Sequence, residues 1–223
     1  MCFAPYISLT TFVIEFLLAA YFLLNNPKDK LNRLIGILSF FLGLYQLSEF
    51  LICVSGINFF TRMAYSITAV LPTLAITLAL VMWRKKLKIY FHMLYYIPAA
   101  FFIAMFGLPF YFKESAICTT VFIQYPTNEL LFKFFGLYYI VFLMGAIVMF
   151  YFSANHCKDK HEKRLNYLVM LGMFIFTVPT YIFLMFLPSL KVQFASVLCE
   201  FALLLAIELV VVLWYKQKHK IEF

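Results

Sequence analysis

Four glutamates, Glu15, Glu49, Glu200 and Glu208, lie inside long apolar runs of this 223-residue chain. An ionised side chain at the centre of a bilayer costs about 2.5–3.5 kcal/mol on insertion scales, so such groups face a bundle interior or a wet cavity. Helical spacing gives three of them polar stripes: Ser8, Thr11 and Glu15; Ser39, Gly43, Gln46, Glu49 and Cys53; Gln193, Ser196 and Glu200. Gln46 and Glu49 share a helix face, and the amide can hydrogen-bond the carboxyl in either protonation state. No Lys or Arg lies deep in these runs. The acids must therefore be protonated by desolvation, share protons with one another, or hold an external cation or amine. For Glu208 the expectation is a neutral carboxyl donating to a neighbouring helix. For Glu49, Gln46, Glu15 and Glu200 it is a ligand- or proton-binding cavity, with Glu49 as the principal residue.

Other chemistries find little to work with. His92 is the single histidine in an apolar run, and Asp29 and Asp159 fall in basic loops, so no buried Ser-His-Asp set and no pair of haem ligands is expected. His156 and His161 are surrounded by lysines, which suits a metal poorly, and the seventh run has no lysine for a retinal Schiff base. No catalytic residue and no cofactor is assigned. Cys2 would present an amine beside a thiol if Met1 were removed, a metal-chelating pair. Cys53 and Cys118 fall on one side of the membrane and can form a disulfide; reduced thiols are the alternative, because spacing does not set connectivity.

The elements that must position these residues are membrane helices. The chain is 65% hydrophobic, with a mean hydropathy of +0.93, and its seven apolar runs approach the ~20 residues that cross a hydrocarbon core. Backbone groups in lipid must be paired within the segment, and the runs are too long for barrel strands. The expected fold is all-α, a seven-transmembrane-helix bundle in one domain over 1–223, with spans near 4–24, 34–55, 63–83, 89–112, 130–153, 165–187 and 192–214. Fourteen of the 18 basic residues form four clusters at alternate gaps, around Lys28, Arg84, Lys158 and Lys216. Basic loops stay in the cytoplasm, so the N-terminus is expected outside and the C-terminus inside a multi-pass plasma-membrane protein. The net charge of +8 then meets lipid headgroups rather than nucleic acid. No cleaved signal peptide is expected, since no basic residue precedes the first run.

The segment 113–129 carries β-branched and aromatic residues closed by Pro126, which suggests a short strand or hairpin covering the outer face. Pro72, Pro98 and Pro179 fall within helices three, four and six, where proline removes a backbone hydrogen bond and can bend the helix. Lys28-Asp29-Lys30 recurs as Lys158-Asp159-Lys160, and Trp83-Arg84-Lys85-Lys86 is echoed by Trp214-Tyr215-Lys216. A three-plus-three repeat about helix four, as in some small sugar transporters, would produce this echo; so would topology alone.

Met1-Cys2-Phe3, Ser8 and Tyr45-Gln46-Leu47-Ser48-Glu49 resemble a prokaryotic family of small membrane proteins that begin Met-Cys-Phe-Ser and carry Gln-x-x-Glu in helix two. Ala4 and Pro5 depart from that start. The resemblance implies no known activity but singles out Cys2, Gln46 and Glu49. The layout is also similar to the seven-helix sensor region of bacterial histidine kinases, with Asn32-Arg33-Leu34 opening helix two and Arg164-Leu165-Asn166-Tyr167 opening helix six. That likeness implies a sensor whose output needs a separate membrane or cytoplasmic signalling partner. The leading expectation is a sensor-like protein binding a small cation, amine or lipid in an acidic cavity bordered by helices one, two and seven. The alternatives are a small-solute or proton-coupled transporter and, third, an intramembrane lipid enzyme; the residues favour a non-enzyme.

Overall fold

In the computed structural model of the chain, the described residues are 5–85, 89–108, 112, 116–118, 123–124, 129–186, 194–221 and 223; the side chains of 5–7, 89–92, 117, 124, 129, 183–186 and 194–200 lie outside that description. Among the described residues there are seven helices: α1 Pro5–Asn25, α2 Lys30–Ser55, α3 Asn58–Met82, α4 Ile89–Gly107, α5 Glu129–His156, α6 Lys160–Phe186 and α7 Phe194–Lys218. Between α4 and α5 a two-residue antiparallel ladder pairs β1 Ile117–Cys118 with β2 Ile123–Gln124. Five of the helices hold stretches long and apolar enough to cross a membrane: Ser8–Asn25, Lys30–Ser55, Asn58–Met82, Leu130–His156 and Lys160–Ile182. The fourth run extends to 112 as an apolar segment, but its helix stops at Gly107, where the side-chain-free residue and the nearby Pro109 favour an end.

Local chemistry sets several boundaries. The Asp29 side chain accepts the Asn32 N–H at 2.9 Å and so caps α2. Asp159 does the same for α6 through the Glu162 N–H, also at 2.9 Å, and this backbone donor holds its carboxyl below the usual carboxylate range. The recurring Lys-Asp-Lys tripeptide is thus the same helix-starting device used twice. Gly56 ends α2 in the left-handed region, φ 67°, with its N–H on the Ile52 carbonyl.

Packing follows the chain around a closed bundle. Helix α2 lies between α1 and α3, α3 also touches α4 and α5, and α6 links α5 to α7, which returns to α1 and α2. Central α3 has 72% of its apolar window buried, whereas α1 has 28%. Outward faces carry large apolar side chains, including Leu17, Leu24, Phe59, Met93, Leu130 and Phe134, while serines, threonines and glutamates turn inward, the arrangement expected when lipid is the solvent. In the middle, Leu38, Leu42, Leu71, Ala75, Leu143, Met173, Phe176 and Leu205 surround only about 10 Å³ of free space. That barely admits one water.

The two ends of the bundle differ in chemistry. One end is aromatic: Tyr65 lies 5.1 Å from the rings of both Phe106 and Phe112, Phe135 lies 5.1 Å from Phe102 and Phe106, and the Tyr138 hydroxyl donates to the Ala69 carbonyl at 2.7 Å. Here also Cys53 of α2 is disulfide-bonded to Cys118 of β1. The other end is ionic. Lys216 of α7 donates to the Asp29 carboxylate at 2.7 Å and to the side-chain amide oxygen of Asn32 at 2.5 Å, and Arg84 pairs with Glu162 at 2.8 Å.

Candidate functional site

The face between α1 and α2 gathers the polar residues that lipid would reject. On α1, Ser8, Thr11 and Glu15 are all at most 4% exposed, while Val13, Phe16 and Leu17 face outward. On α2, Ser39, Gln46 and Glu49 are equally buried; Ser48 is buried too, but it lies on the opposite side of the helix from Ser39, its hydroxyl donating to the Leu44 carbonyl at 2.7 Å. The two helices approach closely where Gly43 faces α1: a β-carbon there would meet the Glu15 Cβ at 3.4 Å and the Phe12 carbonyl oxygen at 3.6 Å. A small residue at this crossing lets the Glu15 side chain lie against α2.

Glu15 stands midway along α1 and is fully buried; neither carboxyl oxygen has a hydrogen-bond partner among the described residues. The hydroxyl of Ser39, one helical turn from Gly43, is likewise buried without a described partner. An unmade bond at a buried polar group costs about 1–3 kcal/mol, more when the group is charged. Two turns beyond Ser39, Gln46 is buried and leads to Glu49, whose Oε1 accepts the Tyr45 hydroxyl at 2.6 Å. Glu49 thus has a donor of its own on α2. Glu15 has none among the described residues, and this asymmetry makes Glu15 the more exposed to ligand chemistry of the two. Tyr45 was not singled out as a site residue from the sequence, although its four-residue spacing from Glu49 places both on one face.

No family model, curated protein or solved structure matches the chain. The site is therefore read from its own chemistry. Helix α7 touches both α1 and α2, but the Glu200 side chain and all of Cys2 lie outside the described residues. Glu208 is elsewhere: its carboxyl packs against Gly172 of α6, and neither oxygen has a described partner. It does not join the α1–α2 seam. Among the described residues no three His, Cys, Asp or Glu side chains gather as a metal site. Chemically, the seam offers a carboxyl without a described donor, a second carboxyl held by a tyrosine, an amide and hydroxyls. Such a set can hold a proton or a small cation with hydrogen-bonding capacity.

A second polar site was not legible as such. From the sequence, Asp29 is a loop acid and Lys216 a member of a basic cluster, yet both are buried in a network with Asn32 at the ionic end. The available signal was Asp29 directly before a helix with Asn32 three residues on, a capping pattern. Nothing local revealed the partner from the far end of the chain.

Proposed function

We propose that this chain is a sensor-like plasma-membrane protein of seven spanning helices that binds a small cation or amine in the acidic seam of α1 and α2. The observation that carries the reading is the fully buried Glu15 carboxyl, without a described hydrogen-bond partner, on a side chain that lies against α2 at Gly43. A bound cation would supply the missing donors or charge and favour the helix arrangement that holds it, a population shift rather than a catalytic cycle. Binding is favoured over transport because the apolar centre leaves about 10 Å³ and a transported solute would need it to open. The test is titration of the protein in nanodiscs with sodium, potassium and methylammonium, read as thermal stabilisation. Glu15→Gln, which keeps shape and removes charge, should weaken the response by about tenfold or more, while Glu49→Gln should weaken it less because Tyr45 remains as a donor. Equal responses in wild type and Glu15→Gln would reject the site, and solute flux into proteoliposomes driven by a pH gradient would replace sensing with transport.

The proposed orientation places the N-terminus outside and the C-terminus in the cytoplasm. It is supported by the disulfide at the aromatic end, since such bonds persist on the oxidising side, and by the basic clusters at the opposite end. An impermeant thiol reagent applied to intact cells should label cysteines engineered at 113–116 and spare those at 158–164. The reverse pattern overturns the topology.

A further inference from the structure

The ionic end holds a polar cavity of about 280 Å³ bounded by Asn25 and Asn26 at the end of α1, Asn32 of α2, and Lys216, Gln217 and Lys220 at the end of α7. Among the described residues its walls carry amides, ammonium groups and the Ile221 side chain, and no carboxylate. Asp29, the nearest acid in the network, is already engaged: one oxygen takes Lys216 and the Asn32 N–H, the other the Phe223 N–H at 3.3 Å. Lys216 is 5% exposed and has three N–H donors. Asp29 and Asn32 take two of them. The third has no described acceptor, and the residue lines the cavity.

Lys220 adds a second observation. It ends α7 in the left-handed region, φ 51°, with its N–H on the Gln217 carbonyl and the following Ile221 N–H on the Lys216 carbonyl. That is the helix-ending position at which glycine is usual, because a side chain there is disfavoured. Arg84 occupies the equivalent position after α3, φ 56°, but its guanidinium is employed on Glu162 and over the Phe223 ring. Lys220 is exposed and lines the cavity, and its ammonium has no partner among the described residues. A lysine stands where glycine would fold more easily, which points to use of its charge.

We infer that this cavity binds a phosphate group, with Lys216 and Lys220 as the cations and the surrounding amides as donors. Two sources carry that chemistry: the headgroup of an anionic phospholipid, which basic pockets at membrane faces bind, and a free phosphate.

The test uses the full chain in phosphatidylcholine nanodiscs. In one arm inorganic phosphate is titrated; in the other, phosphatidylglycerol replaces phosphatidylcholine with no free phosphate. The thermal midpoint is followed in both. Stabilisation in the first arm identifies free phosphate, and stabilisation in the second alone identifies the headgroup. Lys220→Gly relieves the left-handed strain, so its unliganded midpoint should hold or rise, yet its apparent affinity in the responding arm should fall by about fivefold, the effect of removing one lysine near a charged headgroup. Asn26→Leu should weaken the same response. Failure of both arms to stabilise wild type, or an undiminished response in Lys220→Gly, overturns the inference.

Discussion

Lys216→Met is expected to lower the stability of the protein by about 3–5 kcal/mol, because it strips the counter-charge from a carboxylate that stays buried. The Asp29 and Lys216 side chains are only 3% and 6% exposed, and their heads are 2.7 Å apart. The pair is far less solvated than a surface pair, where the loss is ~0–1 kcal/mol, although the cavity beside Lys216 lets water offset part of the cost. The pair also joins the start of α2 to the end of α7, so its loss should loosen the closure of the bundle. Asp29→Asn preserves a capping side chain, because asparagine caps helices about as well as aspartate, but leaves Lys216 without its anion. Combining Asp29→Asn with Lys216→Met removes both charges and should recover part of the loss, giving a coupling of at least ~1 kcal/mol in a double-mutant cycle. Unfolding in mixed micelles measures it. Additive losses, or a single-mutant effect under ~1 kcal/mol, would mean that the pair is solvated in solution.

The parts of the structure that were legible in the sequence are those governed by neighbours along the chain. Apolar runs marked the helices, and Gly43 lay on the same stripe as Glu49 because helical spacing is local. Buriedness of Glu15, Gln46 and Glu49 followed from the penalty on polar groups in lipid. What was hidden depends on which helix faces which. Glu208 turned to α6 because Gly172 leaves room there, a fact of distant packing. Lys216 looked like one cation among several until the chain closed and brought it to Asp29 and Asn32. Tyr45 was within reach of local reasoning, since a phenol one turn from a buried acid is a natural donor, but it reads equally as an apolar face residue.

Cys53→Ser should cost about 4 kcal/mol, the chain-entropy value for a cross-link spanning 65 residues. The bond ties the end of α2 to β1 across all of α3 and α4, so without it the unfolded chain regains the freedom of that loop. Cys118→Ser should have the same effect, and the double substitution should cost no more than either alone, because the second sulfur has nothing left to lose. Reductant should lower the thermal midpoint of wild type to that of the variants and leave theirs unchanged. A functional consequence separates this tether from a merely stabilising one. Cys53 lies one helical turn from Glu49 on the same stripe, and β1 rests against α2. If the seam binds a cation as proposed and β1 helps to cover it, releasing β1 should speed dissociation of that cation by more than it changes association, since mutational effects on binding fall mostly on the off-rate. If both variants lose stability while the dissociation rate is unaltered, the disulfide holds the fold alone and the ladder takes no part in retaining the ligand.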